Sequence, residues 1–119
     1  MRATLEHVLT QAAFDHMIPL AEEFTAGAAK AIADAGVPWH VTRLGCRAEY
    51  LFCKDRPRNG GEAAAVADFE LERYMHLHAL NRGVLLTPFH NMALMSPATT
   101  QADVDCHTRI FREAIAELI

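Results

Sequence analysis

Apolar residues recur at intervals of three and four in three stretches of the chain, a spacing typical of one face of a helix. The first stretch is TQAAFDHMIPLAEEFTAGAAKAIADAG, residues 10–36, where Thr10 suits an N-cap and Gly36 a C-terminal stop. The apolar face of this helix comprises Phe14, Ile18, Ala21, Phe24, Thr25, Ala28 and Ile32. Pro19 lacks a backbone N–H, so it predicts a kink or the start of a second helical segment.

The second helical stretch is GEAAAVADFELERYMHLHALNRG, residues 61–83. Acidic residues crowd its first turns and basic residues its later turns, which suits the helix dipole. The predicted buried stripe is Val66, Phe69, Leu77 and Leu80. Gly83 supplies a left-handed stop. His76 and His78 are two positions apart and point in different directions on a helix, which argues against a shared metal ion.

The third helix is predicted to begin at Thr100. Asp103 follows three residues later, in the arrangement of a capping box with Asp replacing the usual Glu or Gln. The stripe that docks this helix consists of Val104, Thr108, Phe111, Ile115 and Leu118.

Strand-like patterns lie between these helices. WHVTRL and CRAEYLFC flank Gly45, and alternation in the second segment separates two faces. One face carries Cys46, Ala48, Tyr50 and Phe52, and the other carries Arg47, Glu49, Leu51 and Cys53. An ion pair mixed with apolar groups suits contact with another domain, and it equally suits a sheet face open to solvent. VLLT and ALMS predict two more strands, and KDRPRNGG, residues 54–61, predicts a surface loop.

The order helix, strand, strand, helix, strand, strand, helix predicts an α+β fold. We expect a two-layer sandwich in which helices cover one face of a small, mostly antiparallel sheet, formed by residues 1–119 as a single domain. A chain of 119 residues, 51% of them hydrophobic, is long enough to bury such a core. The other sheet face is then left to be buried elsewhere.

Charge and cysteine content exclude several classes of function. A net charge of −4 with a pI near 5.9 argues against nucleic acid as a partner. The chain has neither a membrane span nor a signal-like apolar region, so we predict a soluble, cytoplasmic protein. Cys46 and Cys53 lie on opposite strand faces and cannot pair, and the three cysteines are interpreted as buried reduced thiols. The sequence contains neither a CxxC nor an HExxH spacing, so it predicts no metal site.

The sequence offers no complete catalytic set. It contains neither a GxSxG elbow nor a phosphate-binding glycine loop. The segment LLTPFHNMALMS, residues 85–96, stands apart because His90 and Asn91 lie side by side between two apolar runs. A loop between buried strands needs turn residues but not this pair. One interpretation of the pair is ligand contact, and the alternative is a purely structural role in the loop backbone.

Three segments, VTRLGCRAEYLFC, LHALNRGVLLTP and SPATTQADVDCHTRIFREAI, resemble the C-terminal part of class III (fold type I) pyridoxal-phosphate aminotransferases. The similarity is to the branch of glutamate-1-semialdehyde aminomutases and β-amino-acid aminotransferases, and it covers essentially the whole chain. That branch has a TRxGS turn, an RGV turn and a T-x-x-D-[IV]-D helix start. The corresponding residues here are Thr42–Cys46, Arg82–Val84 and Thr100–Asp105.

The resemblance implies that the chain is the small C-terminal domain of such an enzyme. The large domain of the family supplies the Schiff-base lysine, the aspartate on the pyridine nitrogen and most phosphate contacts. None of these positions lies here, and Lys30 and Lys54 match no lysine motif of the family. We therefore expect pyridoxal phosphate in the parent enzyme, none bound by this chain alone, no activity of the chain alone, and a homodimeric parent.

The resemblance also places the substrate side of the active site near TPFHNM. An arginine grips the substrate carboxylate there in several class III branches, and this sequence has none between Thr87 and Met92. The candidate substrate-binding residues are therefore Arg47, Phe89, His90, Asn91 and Met92. The competing hypothesis is a stand-alone, non-catalytic α+β module for ligand binding or dimerisation.

Overall fold

The computed structural model describes residues 1–87 and 90–119. Its helices are α1 (Arg2–His7), α2 (Gln11–Ala35), α3 (Gly60–Ala65), α4 (Phe69–Leu80) and α5 (Gln101–Ala116). Its strands are β1 (His40–Leu44), β2 (Arg47–Leu51) and β3 (Met92–Leu94). The three strands form one antiparallel sheet in the order β1-β2-β3. The predicted α+β class is confirmed.

Helix α2 begins and ends where the sequence predicts. The Thr10 side chain accepts a hydrogen bond from the Ala13 N–H at 3.3 Å, and Gly36 adopts the left-handed conformation with φ +66°. The helix continues across Pro19, so no second segment starts there. Its buried residues are Met17, Leu20, Ala21, Phe24, Ala28, Ala31 and Ile32. Phe14, expected in the buried face, is 37% exposed.

The second predicted helix is in fact two helices, which corrects the sequence prediction. The Asp68 side chain accepts the Leu71 N–H at 3.0 Å and starts α4, two residues after α3 has ended at its C-cap, Val66. A short side chain such as that of Asp can accept a hydrogen bond from a nearby backbone N–H, which favours a helix start at this point over continuation of the preceding helix. The stripe predicted across both halves was wrong: its members Val66, Phe69, Leu77 and Leu80 are all exposed, whereas Met75, His78 and Ala79 are buried.

The predicted strand VLLT does not form. Gly83 turns the chain at φ +87°, and the Val84 N–H then bonds to the Ala79 carbonyl of α4 at 3.0 Å. This hydrogen bond holds the segment against the helix, and Leu86 enters the core without joining a ladder. Thr87 makes a single bridge to Met92, and the sheet continues only through β3.

Helix α5 packs between α2 and α4 and closes the core. Its start carries the predicted capping box: Asp103 N–H bonds to Thr100 Oγ1, and the Thr100 N–H bonds to the Asp103 carboxylate. Val104, Phe111 and Ile115 of the predicted stripe are buried. Leu118 is exposed because the helix ends at Ala116. On the sheet side, the core receives Ala48 and Tyr50 from β2 and Ala93 from β3.

The three cysteines are free thiols and are half-buried. Among the described residues, no helix is long and apolar enough to cross a membrane.

Candidate functional site

The face of the sheet opposite the core, here called the outer face, has two rows of residues that cross all three strands. Leu44, Arg47 and Leu94 lie side by side in one row, since Arg47 pairs with both leucines across the ladders. Thr42, Glu49 and Met92 form the next row. Leu44 is 77% exposed and Leu94 is 62% exposed. These two exposed leucines and the arginine between them form a surface that can make both apolar and charged contacts.

Arg47 and Glu49 form the ion pair that their strand positions predict. Arg47 Nη2 lies 2.6 Å from Glu49 Oε2, and the Arg47 Nε–H points to the thioether sulfur of Met92. The Arg47 side chain is nearly half exposed, whereas the Glu49 carboxylate is largely covered. One edge of the guanidinium is therefore held within the domain, which fixes the direction in which the rest of the group points.

His90 and Asn91 play different parts in the turn before β3. His90 is exposed, and its Nδ1 lies 3.9 Å from Glu49 Oε1. Asn91 is 3% exposed and has φ +43°, a left-handed conformation that asparagine tolerates better than most residues. The turn is held by a hydrogen bond of 3.2 Å from the Thr87 N–H to the Met92 carbonyl. The left-handed backbone thus accounts for an asparagine at position 91, whereas the exposed side chain of His90 can contact a ligand.

The structure brings four of the predicted site residues together and adds two acids to them. Arg47, His90 and Met92 surround Glu49, and Asn91 precedes Met92 in the same turn. Phe89 lies outside the described residues. A cavity of about 260 Å³ next to this group is lined by Glu49, Glu72, His90, Asn91 and residues of α3.

Glu72 of α4 was missed by sequence reasoning. Burial raises the pKa of this carboxyl, the nearby His90 lowers it, and Asp68 and Glu49 raise it further. Positions 49, 72 and 90 are far apart in the chain and share no local pattern, so only the packing of α4 beside β2 brings them together. The cavity therefore combines apolar walls with two carboxylates and an imidazole.

The lysines of this chain do not fit a Schiff-base site. Lys30 Nζ lies 2.6 Å from Asp34 Oδ2 on the exposed side of α2, and Lys54 is exposed in the loop after β2. An amine becomes a nucleophile when burial or a neighbouring cation depresses its pKa, and an exposed ion-paired amine has neither. In residues 1–87 and 90–119, no group of three or more His, Cys, Asp or Glu side chains could hold a metal ion.

No protein-family model matches the chain. Its structure is similar to that of a glutamate-1-semialdehyde-aminomutase from Pseudomonas aeruginosa PAO1, with a TM-score of 0.96 and 50% sequence identity. The match covers 100% of this chain and 26% of the aminomutase chain, and a lysine-to-alanine variant of that protein was solved in complex with PMP.

Two further structures share the fold at lower identity. An omega-transaminase from Sphaerobacter thermophilus matches with a TM-score of 0.78 at 24% identity, over 91% of this chain and 25% of that one. A beta-phenylalanine aminotransferase from Variovorax paradoxus matches with a TM-score of 0.77 at 23% identity, over 86% of this chain and 23% of that one.

Fold and sequence together define a domain of a fold type I enzyme. Over its whole length the chain is similar to a fragment of a class III pyridoxal-phosphate-dependent aminotransferase of the glutamate-1-semialdehyde-aminomutase branch, and its α+β fold is consistent with the small C-terminal domain of such an enzyme. It spans about a quarter of the length of the aminomutase it matches. The predicted resemblance is confirmed, and a stand-alone module is not favoured.

Proposed function

We propose that this chain serves as the C-terminal domain of a pyridoxal-phosphate-dependent aminotransferase or aminomutase, and that its outer face docks on the rest of the parent enzyme. The observation that carries the proposal is the row of Leu44, Arg47 and Leu94. Helices cover the opposite face of the sheet, whereas both leucines of this row are mostly exposed. Burying them removes apolar surface from water, which favours association.

The parent enzyme would catalyse amino-group transfer between an amino acid and a keto acid, or a related mutase reaction. The similar proteins are an aminomutase and two aminotransferases, which supports this assignment. Bound pyridoxal phosphate supplies the electron sink for such chemistry. This chain contributes no lysine suited to the cofactor, so its own role is to position residues beside the active site.

Each candidate residue has a distinct place in the proposed domain. His90 can donate a hydrogen bond to the substrate from its exposed position in the turn, and Asn91 holds that turn through its left-handed backbone. Arg47 and Met92 contact each other on the outer face and shape its surface. Phe89 stays a prediction of the sequence, as an apolar wall for the substrate side chain. The parent is further proposed to be a cytoplasmic homodimer, a location supported by three reduced cysteines.

A chimeric enzyme tests the docking. The corresponding quarter of the Pseudomonas aeruginosa aminomutase would be replaced by this chain, which is 50% identical to it. We expect the chimera to purify as a folded protein that retains bound cofactor and measurable mutase activity, because the outer face meets a surface similar to that of its own parent enzyme. Cofactor absorbance and turnover are the measurements.

Matched variants of the chimera make the test specific. Leu44→Asp and Leu94→Asp each place a charge in the docked row, and we expect both to lower the cofactor content and activity. Leu77→Asp is the control, since Leu77 is also exposed but lies on α4. Equal behaviour of all three variants would argue against the outer face as the docking surface.

Reductive labelling tests the absence of a cofactor lysine. Pyridoxal phosphate added to the isolated chain and then reduced with borohydride is expected to give no stoichiometric, site-selective adduct, because neither lysine is activated by burial. Intact mass and peptide mapping provide the readout. Lys30→Arg and Lys54→Arg should each leave the low background labelling almost unchanged; complete modification at one of these lysines would overturn the prediction.

A further inference from the structure

A cavity of about 270 Å³, here called the α5 cavity, lies beside strand β3. Its walls come mainly from the segment 83–86, from residues 93–95 and from the first half of α5. The bridge between Thr87 and Met92 joins the two chain segments at one end, and the described residues form no ladder between them beyond it. The α5 cavity lies where the two segments separate.

The inner wall of the α5 cavity consists of buried side chains. They are Phe24, Leu86, Ala93, Val104 and His107. The first four belong to the hydrophobic core. The rings of Phe24 and His107 lie stacked, with their centroids 4.1 Å apart. An apolar group that enters the cavity would therefore contact the core of the domain directly.

The α5 cavity is continuous with the outer face of the sheet. Leu85 and Leu94, two of its lining residues, are largely exposed. Leu94 also belongs to the outer-face row with Leu44 and Arg47, which the proposed function docks on the rest of the enzyme. A well-packed pocket within an interface is a typical place for an anchor residue of the partner.

The size and lining of the α5 cavity indicate the kind of group that fits. A cavity of about 150 Å³ with apolar walls binds benzene, and the α5 cavity is larger, at about 270 Å³. The rings of Phe24 and His107 in its wall offer edge or face contacts to a third ring. Thr99, Asp103 and Cys106 add polar atoms to the lining, which suit the hydroxyl of a tyrosine or the N–H of a tryptophan.

We infer that the α5 cavity receives one aromatic side chain with a polar tip, tyrosine or tryptophan, from the rest of the parent enzyme, and that this side chain anchors the docked domain. The inference deepens the proposed function and rests on it for the identity of the partner. The chain matches 26% of the aminomutase chain, so most of such an enzyme lies outside this segment and can supply the side chain. Insertion is favourable because the ring leaves water and contacts closely packed side chains.

Titration of the isolated, isotope-labelled chain with phenol tests the cavity directly. Cyclohexanol is the comparison ligand, because it carries a hydroxyl on a six-membered ring without aromatic character. The NMR signals of Leu86, Ala93 and Val104 are followed. We expect saturable shifts with phenol, confined to residues around the cavity, and binding of cyclohexanol that is weaker by about threefold or more. Shifts without saturation, shifts spread over the whole surface, or equal affinity for the two ligands would overturn the inference.

Two substitutions fill the cavity from different sides. Cys106→Leu enlarges a half-buried residue of α5 in its lining, and Ala93→Leu enlarges a buried residue of β3. We expect each to abolish saturable phenol binding and to keep or raise the urea midpoint, because the added atoms enter existing space. Cys106→Leu alone carries the test if Ala93→Leu lowers the midpoint. Cys53→Leu is the matched control, since Cys53 is also half-buried but does not line the cavity. Phenol affinity that survives in Cys106→Leu, or an equal loss in Cys53→Leu, would contradict the assignment.

The chimeric aminomutase separates this inference from the proposed docking. Cys106→Leu should lower cofactor content and activity as Leu44→Asp does, whereas Cys53→Leu should leave both unchanged. If Leu44→Asp disrupts the chimera and Cys106→Leu does not, the docking stands and the aromatic anchor is refuted. A chimera that fails to assemble refutes the docking and, with it, the partner named here. If the isolated chain forms a concentration-dependent dimer that Cys106→Leu abolishes, the occupant is a second copy of the chain and the inference is overturned.

Discussion

Acidification from about pH 7.5 to about pH 5 is expected to lower the free energy of unfolding of this chain by about 2 kcal/mol, through His107 alone. Burial lowers the pKa of His107 from 6.5 to about 3. The ring lies 4.1 Å from that of Phe24, centroid to centroid, in a stacked arrangement, and its Nδ1 has no hydrogen-bond partner in the described parts of the chain. A charged imidazole cannot be solvated in this position.

The sign of the effect follows from the two pKa values. Between about pH 6.5 and pH 3 the unfolded chain binds a proton at this histidine and the folded chain does not, so stability falls as the pH falls. The limiting slope is about 1.4 kcal/mol per pH unit. The lowered pKa values of Asp103 and Glu117 act in the same direction but at lower pH, where carboxylates titrate. The pKa of Glu72 is raised by burial, so this carboxyl acts in the opposite direction; the interval from about pH 6.5 to about pH 5 otherwise reports on histidine.

Urea unfolding at a series of pH values measures this dependence. His107→Phe keeps an aromatic ring in the stack with Phe24 and removes both nitrogens, so the slope should largely disappear in this variant. His7→Gln, at an exposed position in α1, should keep the slope of the parent chain. The prediction concerns the slope rather than the absolute stability, since phenylalanine is larger than histidine. A slope that persists in His107→Phe would show that another group is responsible.

Gly27→Ala is expected to destabilise the chain by up to about 2 kcal/mol, the overpacking cost of about 1–3 kcal/mol less the gain in helix propensity of about 1 kcal/mol. A Cβ atom at this position would lie 2.6 Å from Thr108 Oγ1 and 3.0 Å from Thr108 Cγ2. Glycine here allows α2 and α5 to approach closely at the level of Thr108. Overpacking at this contact is expected to outweigh the gain of about 1 kcal/mol in helix propensity.

A double-mutant cycle with Thr108→Ala provides the matched test. Removing the hydroxyl and methyl groups of Thr108 leaves only its Cβ, 3.4 Å from the added atom. In that background Gly27→Ala should be neutral or stabilising, so the same substitution changes sign. Thermal or urea unfolding of the four proteins gives the coupling energy. If Gly27→Ala is equally destabilising with and without the threonine side chain, the close approach is not the cause.

Local signals in the sequence predicted helix ends well and the packed faces less well. Thr10, Gly36 and the Thr100–Asp103 capping box marked the ends of α2 and the start of α5, because a cap depends on a few neighbouring residues. Asp68 is one of the acidic residues that the sequence places in the early turns of the second predicted helix, and in the structure it is the N-cap of α4 that divides α3 from α4. Burial of His78 beside Glu117 could not be foreseen, because it depends on how α4 meets α5.

The sequence predicted some residues of the candidate site and missed others. Alternation along β2 placed Arg47 and Glu49 on the face away from the core, and the structure pairs them as expected. Glu72 carried no signal, since it reaches the site from α4, which lies far from β2 in the chain. His90 was singled out by its position beside Asn91 between two apolar runs, and the family resemblance then placed this segment on the substrate side of the active site.

The separation of α3 from α4 gives the domain a natural attachment point for a reporter group. Helix α3 has no buried residue and is held by the Asn59 cap and the pairing of Arg58 with Glu62, so its backbone amides should exchange with solvent far faster than those of α2 or α5. Ala63 and Ala64 nevertheless line the cavity shared with His90. A fluorophore on α3 would therefore sense events at that cavity while leaving the folded core undisturbed.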